Sequence, residues 1–324
     1  LPAVSGKSFN TLSHGAVASV RARRAGHDVV LVVNVANSPF CGLHRFTGQP
    51  AVLNTDGQEW LRGKWGRAAK GWFRTSARTA RFTATALVSD CQAMADIYAG
   101  SFGATSTVIP YCFPAVSWDP DEAALGRYGV ERERFVVVGG RLNPENNIDR
   151  LAAAYRDVAG DLPLLVLGAA NYDSPVEQHL RVIARRDERV RLVGHVDDRR
   201  AFLTLLGAAA TYLHGHSVGG MNPSLVEAMR AGANVVALDT PFNRETLGSG
   251  GRFVRPDLAG FAAVLDEVLA EPAGDRAGRR DRARSRVQEE YGVDDVVSAY
   301  EELLRTAARA GRRGGVAIAT RWAR

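Results

Sequence analysis

Cysteine is scarce in this chain: Cys41, Cys91 and Cys112 are the only three, odd in number and widely spaced. That spacing fits neither a disulfide framework nor a zinc cluster, so the thiols read as reduced packing residues of a cytoplasmic protein. Lysine is equally sparse, with Lys7, Lys64 and Lys70 alone, which leaves few candidates for a pyridoxal-binding residue. No run of eighteen or more apolar residues occurs, and the start, LPAVSGKSFN, has no apolar core of the kind a signal peptide needs. Acidic residues are missing from Trp60 to Ser89, which sets that stretch apart from the rest.

With 324 residues, 46% of them hydrophobic, the chain can fill the cores of two ordinary domains. Its formal net charge of +6 comes from 41 basic against 35 acidic residues, a biased surface more than a polycation. In the acid-free stretch Arg62, Lys64, Arg67, Lys70, Arg74, Arg78 and Arg81 alternate with Trp65, Trp72 and Phe73. This pattern suits an anionic membrane surface or a nucleic acid, and equally a solvated helix face whose tryptophans point into a core. Since nucleic-acid binding rests on charge alone, no such partner is expected.

Apolar runs and helical periods alternate along the chain. A helix over Thr11–Arg24 precedes a strand at Val29–Val33. A second strand, Ala51–Leu53, leads into the polar cluster Asn54–Trp60, and short strands follow at Ala86–Val88 and Thr107–Ile109. The proline-bounded segment Pro110–Pro114, with Trp118 and Pro120 after it, reads as a linker, so a first domain is expected over 1–115. Beyond it strands and helices alternate regularly from Phe135 to Leu269, with one helix over Pro144–Val158, which indicates a parallel sheet covered on both faces. Glu271–Arg286 reads as a solvated loop or exposed helix and Tyr291–Leu304 as an amphipathic helix. The second domain is expected over 116–310, followed by a basic tail at 311–324.

Ligands of open parallel sheets sit outside the C-terminal strand ends. Asn34, Asp56 and Glu59 follow the first strands, either as site groups or as turn and cap residues. Gly139-Gly140-Arg141 follows the first strand of the second half, where glycines permit backbone approach and Arg141 can grip phosphate oxygens. Its bland alternative is a pair with a surface carboxylate. In the stretch from His214, the Gly219-Gly220 turn precedes a helix capped by Asn222 and started by Pro223, an arrangement that favours an anion. Glu227, set among Leu225, Val226, Ala228 and Met229, is costly to desolvate unless it accepts hydrogen bonds, for which the two hydroxyls of a ribose are suitable donors.

These stretches, Thr11-Leu12-Ser13-His14, Asn54-Thr55-Asp56-Gly57-Gln58-Glu59-Trp60, Gly139 through Asn147, and above all His214 through Met229, resemble the retaining glycosyltransferases of family four. The chain is most similar to a bacterial branch that includes rhamnosyltransferase-like enzymes of surface polysaccharide assembly. The resemblance implies an α/β protein of the GT-B fold, two Rossmann-like domains with parallel sheets. It implies transfer of a sugar from a nucleotide-sugar donor to a polysaccharide or lipid-linked acceptor, with retention and no obligatory metal or other cofactor. Arg141, Glu227 and His216 would be the central residues. Gly139, Gly140, Asn146, Ser217, Gly219, Gly220, Asn222 and Ser224 would line the donor site, and Asn34, Asp56 and Glu59 the acceptor side. The chain departs from the family pattern in three ways. Gly219 stands where a Glu is usual. Asn146 stands where a diphosphate-binding Lys is usual. The first domain looks incomplete, with one or two βα units expected to be absent, the region between Asn37 and Pro50 being one place for the loss. A cytoplasmic protein, peripheral on the inner face of the membrane, is expected; the alternative is a degenerate nucleotide-sugar binder or partner subunit.

Overall fold

The computed structural model describes residues 9–114, 119–170 and 174–312. By contact the chain divides into two compact units, the first made of Leu1–Phe113, Gly219–Met221 and Val293–Arg324, the second of Pro114–Val218 and Asn222–Gly292.

In the first unit, β1 (Val30–Val33), β2 (Ala51–Asn54), β3 (Ala86–Ser89) and β4 (Thr107–Val108) form a parallel sheet in that order. Helices α1 (Phe9–Arg24), α2 (Ser38–Phe46), α3 (Arg67–Thr83) and α4 (Gln92–Phe102) alternate with them. Every residue of β2 and β3 is buried, as a parallel strand covered on both faces requires. β1 lies at one edge and leaves Leu31 45% and Val33 59% exposed. The residues between Asn37 and Pro50, the place proposed for a missing unit, hold α2, which connects β1 to its neighbour β2.

The second unit carries β5 (Val136–Gly139), β6 (Leu164–Leu167), β7 (Val190–Gly194), β8 (Thr211–His214), β9 (Val235–Leu238) and β10 (Gly251–Val254). Its helices are α5 (Glu122–Arg127), α6 (Ile148–Tyr155), α7 (Pro175–Ala184), α8 (Arg199–Ala208), α9 (Pro223–Ala231), α10 (Pro241–Leu247), α11 (Phe261–Ala270) and α12 (Ala273–Glu290). The sheet is parallel with order β10-β9-β8-β5-β6-β7. The order reverses between β5 and β8, so connections leave to opposite faces there and open a crevice at the C-terminal ends of these two strands. Valines and leucines of the strands pack with Ile148, Leu151, Tyr155, Phe261 and Leu265 from the covering helices.

Two local readings change. The expected helix from Pro144 is a 3-10 turn, Pro144–Asn146, followed by α6, because Asn147 adopts a left-handed conformation with φ 50°. The charged segment after Glu271, read as a solvated loop or exposed helix, is a helix with one face buried. In α12 the guanidinium of Arg279 is buried against Glu271 and donates to Asn234 Oδ1 at 3.2 Å, while Ala283 and Val287 face inward.

The last helix, α13 (Val293–Arg312), belongs to the first unit, whereas the range 116–310 assigns it to the second. The reason is its apolar stripe: Val296, Ala299, Leu303 and Ala307 recur three and four residues apart and pack with Val52, Ala86, Val88 and Ile109. Tyr300 adds a polar tie, its hydroxyl accepting from Asn54 Nδ2 at 2.8 Å. Ala310–Arg312 therefore close a helix, and the rest of the basic tail, like Trp118, lies outside the described residues.

The Leu303→Ala variant should lose about 2–5 kcal/mol of stability in urea unfolding, since Leu303 is 3% exposed in this core. Glu301→Ala, which removes only an exposed pair with Arg305, should change it by about 0.5 kcal/mol or less.

Candidate functional site

The loops that leave β5 and β8 meet at the crevice of the second unit. Asn147 Nδ2 donates to Gly215 O at 2.8 Å, to Ser217 Oγ at 2.9 Å and to Glu145 O at 3.2 Å. Ser217 returns two bonds to Glu145 O, from its amide at 2.9 Å and its hydroxyl at 3.1 Å. His216 Nδ1 lies 3.0 Å from Asn146 Oδ1, and Asn146 Nδ2 donates to Arg141 O at 2.7 Å. Glycine is required at 215, where a Cβ would sit 2.2 Å from Asn146 O, and Gly140 holds φ 147°. Gly139, Gly140, Arg141, Asn146, His216 and Ser217 are thus drawn to one strand-end crevice. Arg141 is exposed there, and no carboxylate among the described residues pairs with it. A free, planar cation at the mouth of a crevice suits a phosphate group.

Beneath this loop His214 and Tyr212 are neutral. Burial pushes the His214 imidazole down to about 3, so the ring carries no charge at neutral pH. Its Nδ1 lies 3.2 Å from the Tyr212 hydroxyl, and its Nε2 has no partner among the described residues. Tyr212, buried under α9, is held above the ordinary phenol range first by burial, with the nearby Glu227 charge adding to it.

Helix α9 starts as its sequence implies, with Pro223 first and the Asn222 side chain accepting from the Ser224 amide at 2.9 Å. Ser224 Oγ also donates to Asn222 Oδ1, at 2.7 Å. Glu227 departs from expectation. Its neighbours Val226 and Ala228 are buried, but its own side chain is 19% exposed and pairs with Arg199 Nη2 at 2.7 Å. One turn into the helix, the long side chain reaches past the apolar neighbours to the exposed start of α8.

In the first unit a second polar cluster stands at the ends of β1 and β2. Asn34, at φ 73°, accepts from the Ala36 amide and donates to Asp56 Oδ2 at 3.1 Å. Asp56, at φ 56°, donates its amide to Asn54 Oδ1 at 2.9 Å. Asn34 and Asp56 are therefore brought together. Glu59 is not free to join them: 4% exposed, it accepts from Trp65 Nε1 at 2.7 Å and pairs with Arg62 and Lys64. It anchors the start of the basic stretch, whose aromatics divide. Trp60 packs edge-on against Tyr98 and Phe102, and Phe73 is buried against Trp65. Trp72 stays 37% exposed with its Nε1 donating to Ala36 O.

Gly219 and Gly220 group with this first unit. Here sequence reading missed Asp90. It is 2% exposed and accepts from the Met221 amide at 3.0 Å, so that amide is already engaged. The amides of Gly219, Gly220 and Asn222 carry no hydrogen bond within the described residues. Asp90 directly follows β3 as Asp56 follows β2, so the strand-end rule that selects Asp56 also selects Asp90. Burial, with a smaller contribution from the Asp56 charge, raises its carboxyl to about 7, against the pull of the Cys91 thiol and the Met221 amide.

Comparison with known proteins follows this division. Residues 132–271, which lie in the second unit apart from Gly219–Met221, match the family described as Glycosyl transferases group 1. A phosphatidyl-myo-inositol mannosyltransferase of Mycolicibacterium smegmatis is 33% identical over 193 residues, 58% of this chain; the chain spans 45% of that relative's length. Among solved structures, a sucrose-phosphate synthase from Thermosynechococcus elongatus superposes with TM-score 0.75 at 16% identity, covering 92% of this chain and 78% of that one. Anabaena HepE in complex with UDP-glucose gives TM-score 0.75 at 17% identity, with 91% and 82% covered. An α,α-trehalose-phosphate synthase (UDP-forming) from Burkholderia vietnamiensis gives 0.72 at 14%, with 95% and 78% covered. These likenesses establish the α/β GT-B fold, with its two parallel sheets.

The Asp90 carboxyl has a consequence for stability. Its folded value of about 7 lies above the ordinary 3.8, so the native state keeps a proton that the unfolded chain releases between these values. Its contribution is complete below the lower value and is lost as pH rises through about 7. The melting temperature of Asp90→Asn minus that of wild type should therefore rise between these two pH values and level off above them. A difference that stays flat across the range contradicts the assignment.

Proposed function

We propose that this chain is a glycosyltransferase that moves a sugar from a nucleoside-diphosphate sugar to a hydroxyl of a saccharide or lipid-linked acceptor. The observation that carries this reading is the crevice at β5 and β8, where Arg141, exposed and without a carboxylate partner among the described residues, sits on stitched loops within the matched region 132–271. In the second unit Arg141 neutralises the departing diphosphate and Glu227 exchanges Arg199 for the ribose hydroxyls, while the Gly219–Gly220 amides are read as donors to a diphosphate. His216, held by Asn146, and Ser217 face the sugar. The guanidinium supplies the charge that a metal supplies elsewhere, so no metal is required. Retention at the anomeric carbon and a place in surface polysaccharide synthesis belong to this reading through the resemblance to the rhamnosyltransferase-like branch. The UDP-glucose complex of HepE supports the donor class, and the name of the mycobacterial relative supports a lipid-linked acceptor.

Two further features support a lipid-linked acceptor. A cavity of about 640 Å³ in the first unit is lined by Val29, Tyr111, Val297 and Leu304 among others, beside the Tyr300 that bonds Asn54. In addition, α3 presents Arg67, Arg74, Arg78 and Arg81 outward, with Phe82 61% exposed and Phe46 of the adjoining α2 94% exposed. No described helix is long and apolar enough to cross a membrane, so contact with an anionic surface would be peripheral.

Arg141→Ala should lower kcat/KM for the preferred sugar nucleotide about 100-fold or more, as removal of a charge-stabilising group does. Glu227→Ala should raise the donor KM about tenfold or more through loss of charge-assisted bonds. Wild-type kinetics in both variants would remove the assignment, and donor binding without turnover in the wild type would identify a degenerate binder instead. In cosedimentation, vesicles containing phosphatidylglycerol should retain the chain better than phosphatidylcholine vesicles, and Arg74→Glu with Arg78→Glu should abolish the difference. Equal retention on both lipids would exclude the membrane contact.

A further inference from the structure

The turn read as an anion site already holds a carboxyl group. Asp90 Oδ2 takes the Met221 amide at 3.0 Å, and Oδ1 has no hydrogen-bond partner among the described residues. Gly220 lies against both oxygens so closely that a Cβ there would stand 2.2 Å from each. Gly219, at φ 142°, packs on Gly57, where a Cβ would lie 3.0 Å from Gly219 Cα. The glycines of this turn therefore admit the close approach of the acidic side chain that follows β3.

We propose that Asp90 stands in for a ligand anion at Gly219–Met221, occupying the Met221 amide and the face of Gly220 that a diphosphate must take over. The inference rests on the reading that this turn receives the donor's diphosphate, and it adds a residue that sets how strongly the turn does so. Both groups are acceptors and compete for the same amide hydrogen. When Asp90 is ionised its buried charge also repels the diphosphate.

Charge state decides how strong this competitor is. The groups that face Asp90 are Asp56 from the loop after β2, Cys91 at the N-cap of α4, Tyr98 of α4, Tyr111 after β4, and Tyr300 of α13. Burial and Asp56 favour the neutral carboxyl, the Cys91 thiol and Met221 amide the ionised one, and the balance falls at about 7. Below that value the competitor is a neutral acid; above it, it is an anion. Sequence distance hides the device, because Asp90 and Met221 stand 131 residues apart.

Inorganic pyrophosphate is the probe, since it carries the charge common to every nucleoside-diphosphate donor and depends on neither sugar nor base. Calorimetric titration of the full chain would compare wild type with Asp90→Asn, which keeps the shape and an acceptor for the Met221 amide but cannot ionise. At about one pH unit above Asp90's value of about 7, the variant should bind pyrophosphate roughly tenfold tighter than wild type. At about one unit below, the two should agree within about twofold. The titration of pyrophosphate itself cancels in the ratio. A ratio that is the same at both pH values, or weaker binding by the variant, overturns the inference while leaving the diphosphate reading of the turn intact. No pyrophosphate binding by either protein at either pH overturns both. Should the variant misfold, the wild type alone still decides: its affinity, corrected for the ionisation of pyrophosphate, must fall as pH rises through about 7.

Discussion

The crevice of the second unit depends on one side-chain amide. Asn147 sits between a 3-10 turn and α6 in a left-handed conformation, an arrangement that asparagine tolerates better than most residues. From that position its Nδ2 reaches the backbone of both loops, at Glu145 and Gly215, and also the hydroxyl of Ser217. Its Oδ1 takes Arg150 at 2.9 Å, so the amide's orientation is fixed from both ends. A buried polar group is costly unless its bonds are made, which makes this arrangement all-or-none. Lose the amide and the loops that carry Arg141 and His216 lose their common reference, although Asn147 itself lies beneath them.

The charges above this anchor are arranged so that magnitudes favour ligand exchange. Glu227 is held by Arg199, whose side chain is 61% exposed. An exposed pair of this kind contributes about 0–1 kcal/mol, whereas each charge-assisted bond from a hydroxyl contributes about 1.5–3 kcal/mol. In the proposed donor complex two ribose hydroxyls would therefore displace Arg199 from Glu227 at little cost. Among the described residues Arg141 has no such partner to give up. The neutral state of His214 belongs to the same logic, since a buried charge under the loop would have to be compensated by groups that are already committed to one another.

Much of this was legible from residue order, and the failures have physical causes. The parallel second sheet, the cap at Asn222 and the grouping of Arg141 with His216 follow from periodicity and from strand-end glycines, which are local signals. The fate of α13 does not: its stripe of Val296, Ala299, Leu303 and Ala307 announces that a core is covered, but not which of two cores. Glu59 misled for a related reason. A carboxylate after a strand looks like a site group until Arg62, Lys64 and Trp65, only three to six residues on, are seen to close around it. Asp90 escaped because its partner amide lies far away in sequence.

Glycine carries the same ambiguity in sharper form. Gly57, Gly219 and Gly220 each signal close approach, and composition cannot say what approaches. At the start of α9, the signals for an anion site were a glycine turn and a helix N-terminus with free amides. The structure narrows that set: Pro223 has no amide hydrogen, Ser224 donates to Asn222 Oδ1, Leu225 to Asn222 O, and Met221 to Asp90. What remains for a ligand is the run of Gly219, Gly220 and Asn222, three donors from a turn more than from a helix end. A site built this way depends less on the helix dipole, which acts through the first turn, than on backbone that only glycine can shape. That dependence explains why the acidic side chain that follows β3 can enter so closely, and why, in the proposed anion site, Asp90 would set the affinity as much as the amides themselves.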